Sequence, residues 1–158
     1  MGQAVRLRFL PMLAALASLA ASPVLAPALA VAQAQAQNNL TPAQSVQIGL
    51  TMMSDAVVHS DSLIAAHAYE QLPQQRAQFE QGLSTLQRGM SLAPPEHRQK
   101  LERLLAKARV AASGMSEAAR SHNDSLLKIT HDQLAAAVSG VVKIFPPSLQ
   151  PTPGGAPP

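Results

Sequence analysis

Two apolar stripes with helical spacing lie on either side of a proline pair in the middle of the chain. Steps of three, four and seven residues separate the members of the first stripe, which places them on one face of a helix. They are Leu72, Phe79, Leu83, Leu86 and Met90. The second stripe consists of Leu101, Leu105, Ala108, Ala112 and Met115. Because Pro94 and Pro95 stop the first helix, the pattern predicts a helical hairpin at the centre of the fold, with Arg76 as the one residue that does not fit its stripe.

Another apolar stripe precedes this hairpin. Thr41 and Pro42 predict a helix start, because threonine caps helix N-termini and proline is tolerated in the first turn. The helical pattern continues to about residue 71. The Leu72-Pro73 step then ends or kinks the helix, and a new helix is expected to extend to about residue 91.

The last stripe follows a polar cluster that extends from Ser121 to Ser125. Small polar side chains favour turns, because they compete for backbone hydrogen bonds. The apolar register also changes across the cluster, to one built on Leu127, Leu134, Val138, Val141 and Phe145. These two features predict a turn and then a helix from about Asp124 to Phe145.

The four stripes predict an all-α protein, an antiparallel four-helix bundle with disordered termini. The alternative is one long kinked helical hairpin, in which residues 121–125 remain helical and the kink lies at Pro73. The bundle is favoured, because folding back buries every stripe within one chain.

The ends of the chain differ in composition from the helical part. Residues 1–32 have the layout of a secretory signal peptide: Arg6 and Arg8, then an apolar run, then small residues with the spacing that signal peptidases cleave. Residues 33–40 form a predicted flexible leader, residues 41–145 the helical bundle domain, and residues 146–158 a disordered tail rich in proline and glycine. We therefore expect a periplasmic or secreted protein after cleavage.

Charge and cysteine content exclude several classes of function. The whole chain carries a net charge of +3, but removal of Arg6 and Arg8 with the signal peptide leaves about +1. Nucleic-acid binding needs a denser basic surface or clustered aromatic side chains, and neither is present. Because the chain has no cysteine, thiol chemistry, iron–sulfur clusters and cysteine–zinc sites are excluded.

Histidines, methionines and acidic residues provide the candidate ligands. Asp55 and His59 are four residues apart, and His67 and Glu70 are three apart, so each pair would face one metal ion on a helix. Such pairs are more often solvated surface contacts.

A second ligand set follows from bundle topology. In an antiparallel bundle, Met52 or Met53 on the first helix lies level with His131 on the fourth, and a methionine–histidine pair is an axial ligand set for haem b. By the same reasoning, His67 and His122 lie at comparable heights and would form a pH-sensitive pair.

Function is expected to be binding rather than catalysis, since no nucleophile motif, phosphate loop or dinucleotide fingerprint occurs. We expect an exported, non-enzymatic interaction protein without a cofactor; the alternative is a periplasmic bundle that binds haem b or a transition-metal ion. Lys100, Arg103 and Lys107 form a basic helix face that would contact an acidic protein partner or an anionic membrane surface. Interleaved acidic residues make a solvated face the alternative, and homo-oligomerisation stays open.

Overall fold

The computed structural model describes residues 40–151, which form four α-helices and no strand. The helices are α1 (Pro42–Ala65), α2 (Leu72–Gln87), α3 (Arg98–Arg120) and α4 (Asp124–Val142). Short 3-10 turns occur at Tyr69–Gln71, Met90–Leu92, Pro95–His97 and Pro147–Leu149. The predicted all-α four-helix bundle is confirmed, and the long hairpin is excluded because the chain leaves the helical path between α3 and α4. The predicted signal peptide, and the leader up to residue 39, lie outside the described residues.

Side-chain caps fix the starts of α1 and α4. The side chain of Thr41 accepts a hydrogen bond from the backbone N–H of Gln44, and the Gln44 side chain accepts one from the backbone N–H of Thr41 at 2.9 Å. This reciprocal pair is a capping box. Asn123 caps α4 by accepting the backbone N–H of Leu126 at 3.0 Å. Both predicted helix starts are thus confirmed, and each has a local physical cause.

The ends of α1 and α3 share one backbone motif. His67 and His122 each follow the last helical turn with a positive φ, 53° and 49°. Beyond α1, the N–H of Ala68 reaches the carbonyl of Leu63, and beyond α3 the N–H of Asn123 reaches that of Ala118. These are Schellman motifs, in which a left-handed residue reverses the chain. Helix α1 therefore ends at Ala65, earlier than the sequence pattern predicted. Neither motif has the glycine that is usual at the left-handed position.

The predicted central hairpin is not the closest helix pair. Helix α2 packs most closely on α1, and α3 packs most closely on α4, whereas α2 and α3 pack less extensively on each other. Glycines explain the α1–α2 approach: a Cβ atom at Gly49 would lie 2.7 Å from the backbone nitrogen of Leu86, and one at Gly82 would lie 2.9 Å from the Cβ of Met52. The prediction of a central α2–α3 hairpin is corrected to two tight pairs, α1–α2 and α3–α4.

The two pairs close around one apolar core. Every member of the predicted stripes of α2, α3 and α4 is buried, except Met90, which is half-buried against the core. Full burial of one leucine side chain contributes about 1.5–3 kcal/mol, so this core supplies most of the driving force for folding. Helices α1 and α4 also pack together, which closes the bundle.

The chain stays on the bundle after α4. Gln47 of α1 donates its Nε2–H to the carbonyl oxygen of Ser148 at 3.0 Å, and Gln150 donates to the carbonyl oxygen of Phe145 at 2.8 Å. Leu149 packs against the core. Residues 146–151, which the sequence pattern assigned to the tail, therefore belong to the folded part. Residues 152–158 lie outside the described part of the chain.

Candidate functional site

An open groove of about 630 Å³ follows the outer face of the α3–α4 pair. Its walls are mostly apolar, with Lys107 and Gln133 as the polar members: Leu104, Ala106, Lys107, Val110, Gln133, Ala136 and Ala137. Helix α4 continues the same face with Ile129, four residues before Gln133. Val110 is 73 % exposed and Ile129 is 54 % exposed, so two large apolar side chains project into solvent beside this groove.

One flank of the groove is basic. Lys107 lines it directly, and Lys100 and Arg103 are exposed on the preceding two turns of the same helix face. No acidic side chain is among the residues that line this groove. Glu102, which interleaves the basic residues in sequence, instead lines a separate hollow with Arg98. Of the three predicted partner-binding residues, the structure thus places Lys107 on the groove and Lys100 and Arg103 on the same helix face before it.

The predicted haem ligands have other contacts in this bundle. Met53 is fully buried, and Met52 is half-buried. His131 is 8 % exposed, and its Nε2 lies 3.1 Å from the carbonyl oxygen of Val57, one turn after Met53. Because a carbonyl can only accept, Nε2 donates its proton there. His131 therefore lies level with Val57, one turn beyond Met53, and its imidazole joins α1 and α4.

The predicted metal ligands lie at the surface. Asp55, His59 and Glu70 are exposed, and the Nδ1 atom of His67 lies 2.6 Å from the hydroxyl of Tyr69. Within residues 40–151, no three histidine, aspartate or glutamate side chains come together in a group that could hold a metal ion.

A polar network at one end of the bundle joins residues that the sequence pattern did not connect. The hydroxyl of Tyr69 donates to Oδ1 of Asp124 at 2.6 Å, so the Nδ1–H of His67 donates to the same hydroxyl. The ring of His122 lies 5.8 Å from the ring of Tyr69. His67 and His122, predicted to be at comparable heights, thus lie on either side of one tyrosine.

The environment of Tyr69 favours its neutral form. The hydrogen bond to Asp124, burial and the negative charge of that carboxylate together raise the pKa of Tyr69 above its ordinary value of 10.0. A phenol held in this state is a hydrogen-bond donor at neutral pH, and it is poorly suited to act as a base or nucleophile.

Beside this network lies a second concavity, of about 380 Å³. It lies where the Tyr69 turn and the start of α2 meet the end of α3. Arg76, the misfit of the α2 stripe, is one of its walls, together with Arg120 and His122. Two features of the sequence could have pointed to this place, a charged residue on an apolar stripe and the single tyrosine of the chain, but only the folded backbone brings them together.

No protein-family model matches this chain, and a search of curated proteins finds no significant match. None of the helices described here is long and apolar enough to cross a membrane. Fold and surface together define an all-helical four-helix bundle with an exposed, mostly apolar groove that has a lysine on its wall.

Proposed function

We propose that this protein is an exported, non-enzymatic binding protein that takes up an acidic amphipathic helix of a protein partner in its α3–α4 groove. One observation carries this function: an apolar groove without acidic walls has Lys107 on its wall, and Arg103 and Lys100 are exposed one and two turns earlier on the same helix face. Export rests on the signal-peptide layout of residues 1–32.

The shape of the groove favours a helical occupant. Two adjacent antiparallel helices leave a furrow between them that a third helix fills, with apolar residues at every third or fourth position as anchors. Val110 and Ile129 lie beside this groove, and their side chains are largely exposed. Contiguous apolar exposure of this kind marks interaction sites on soluble domains.

The basic flank favours acidic residues on one edge of that helix. Opposite charges along the rim speed association and fix the orientation of the partner, while apolar contacts in the groove supply most of the affinity. Since the three basic side chains are exposed, their contribution falls as salt screens them.

Site-specific photo-crosslinking tests this function. A photoreactive amino acid replaces Val110 in one variant and Val58 in a control variant, in cells that make the protein. Val58 is 64 % exposed on α1 and lines a smaller hollow between α1 and α4 instead of the α3–α4 groove, so it matches Val110 in type and accessibility at a different concavity. Mass spectrometry then identifies the crosslinked segment.

The expected result is a crosslink from position 110, and not from position 58, to a segment of another protein with helical apolar spacing and acidic residues on one edge. A crosslink to lipid, to a second copy of this chain or to a segment without that pattern contradicts the proposed occupant. Equal crosslinking from both positions contradicts the assignment of the groove.

A further inference from the structure

The concavity beside Tyr69 combines cationic groups with apolar walls, and it is separate from the α3–α4 groove. We infer that it binds a small organic carboxylate with an apolar body, and that Arg76 holds the carboxylate. The residues that line it are Tyr69, Glu70, Pro73, Arg76, Ser116, Ala119, Arg120 and His122.

Arg76 is placed where a core residue is expected. It lies four residues after Leu72 and three before Phe79, both of which are buried, and its own side chain is half-buried. Within residues 40–151, no carboxylate lies within ion-pair distance of its guanidinium. A partly desolvated arginine is stabilised by an anion that accepts two parallel hydrogen bonds, as a carboxylate does.

The other charged groups around the cavity leave Arg76 as the main anchor. Arg120 is already engaged, because its Nη2 lies 3.0 Å from Oε2 of Glu117 and its Nε donates to the carbonyl of Ser116. Glu70 is exposed and is the one acidic residue among the lining residues. The charges of Arg76 and Arg120 are balanced by those of Glu70 and Glu117, so a monoanion fits better than phosphate.

The remaining walls favour an apolar ligand body. Pro73 and Ala119 offer only hydrocarbon. The hydroxyl of Tyr69 is bonded on both sides, by His67 and Asp124, so Tyr69 offers the cavity mainly its aromatic ring. A volume of about 380 Å³ accommodates a short aliphatic or single-ring acid.

Tyr69 provides a built-in probe, because the chain has one tyrosine and no tryptophan. Hexanoate is titrated into the purified protein while tyrosine fluorescence is recorded, and hexanamide serves as the neutral analogue of the same shape. We expect hexanoate to bind saturably and about tenfold more tightly than hexanamide, because a charge-assisted hydrogen bond contributes about this difference in affinity. Arg76→Gln removes this preference, and Arg76→Lys removes most of it, because an ammonium cannot bind bidentately.

Arg109→Gln is the matched control, since Arg109 is an exposed arginine of α3 that does not line this cavity; it retains the preference. Circular dichroism verifies that each variant is folded, and if Arg76→Gln unfolds, the folded Arg76→Lys variant carries the test. Equal binding of acid and amide, no saturable binding of either, or equally tight binding of inorganic phosphate overturns the inference. None of these outcomes bears on the α3–α4 groove, which is tested separately by crosslinking.

Discussion

The phenol of Tyr69 has one proton and two polar neighbours, and this determines the direction of both hydrogen bonds. The proton goes to Asp124, so His67 must donate in turn. The network joins the end of α1 to the first turn of α4 through one ring, at a site where His67 already adopts a left-handed backbone. Local chemistry at single residues therefore holds one end of the bundle together.

The ionisation of Tyr69 can be measured directly, because no other tyrosine contributes to the absorbance of phenolate. We expect its pKa in the folded protein to lie above 10.0, and Asp124→Asn to lower it, since the carboxylate is the main cause of the shift. The raised pKa stabilises the fold below about pH 10, and this contribution is lost as the pH rises through the folded-state value. Ultraviolet titration with circular dichroism at each pH gives both quantities.

Asp132→Asn is the control for this titration, because Asp132 is another exposed acid of α4 but lies beside His131 instead of Tyr69. The assignment fails if the pKa of Tyr69 is the same in wild type and Asp124→Asn, or if Asp132→Asn lowers it equally.

A second prediction at the residue scale concerns the left-handed backbone of His122. In this conformation a residue with a Cβ atom is about 1 kcal/mol less stable than glycine. We therefore expect His122→Gly to be about 1 kcal/mol more stable than His122→Ala, since both variants lose the imidazole. Chemical denaturation measures the free energy of unfolding.

Ser139, which is exposed within α4, provides the reverse comparison. There, Ser139→Gly is expected to be less stable than Ser139→Ala by about 1 kcal/mol, because glycine is unfavourable inside a helix. The same order of stability at both positions would contradict the left-handed conformation of His122.

At the scale of elements, sequence periodicity predicted which residues are buried better than which helices touch. The stripes from Leu72 to Met90 and from Leu101 to Met115 face the core as expected. The stripes predict that the α2–α3 hairpin is central, yet close packing depends on backbone approach, which glycine permits between α1 and α2. In the sequence, Gly49 only weakens the predicted helix. In the structure it lies opposite Gly82, and the two glycines allow α1 and α2 to approach closely.

The sequence could not reveal the candidate sites for a related reason. Basic residues 100, 103 and 107 were recognisable from their spacing, but the groove forms only where α4 packs beside α3 and adds its own wall. Arg76 was recognisable as a misfit, but its neighbours come from the end of α3. His67 and His122 occupy left-handed positions that residue type did not predict, since glycine is the usual choice there.

The prediction at the scale of elements concerns the close approach of α1 and α2. Gly82→Ala is expected to lower the free energy of unfolding by about 1–3 kcal/mol, because its Cβ would lie 3.0 Å from the carbonyl oxygen of Gly49, which belongs to the backbone. Gly140→Ala is the control: its Cβ meets the Cδ methyl groups of Leu104 at 3.1 Å, and a flexible side-chain end can move. We expect this control to be neutral or to gain up to about 1 kcal/mol from helix propensity.

Thermal or urea unfolding of both alanine variants measures the difference. A Gly82→Ala protein as stable as Gly140→Ala would mean that α1 and α2 are farther apart in solution than described here.

The described part of the molecule is a closed bundle, and an apolar groove on its α3–α4 face is left uncovered. Helices α1 and α4 close the core, and residues 146–151 cover part of α1. No comparable cover lies over the α3–α4 groove within the described residues. The same surface would be covered in a homodimer, so the two occupants have to be separated experimentally.

We predict that the purified protein is a monomer, because the basic flanks of two copies would repel each other across this face. Sedimentation equilibrium of the wild type and of Val110→Glu measures the mass in solution, and both are expected to give the mass of one chain. A wild-type dimer that Val110→Glu dissociates would assign the groove to a second copy.

The most direct measurement of the central claim is the crosslink yield from position 110 after reversal of the basic flank. Lys100, Arg103 and Lys107 are replaced together by glutamate, and a control protein has Arg98 and Arg109, exposed residues of α3 that do not line the groove, replaced in the same way. If an acidic helix docks in the α3–α4 groove, the yield falls about tenfold or more in the first protein and stays close to wild type in the second. An unchanged yield in the first protein, or an equal loss in both, would contradict the claim.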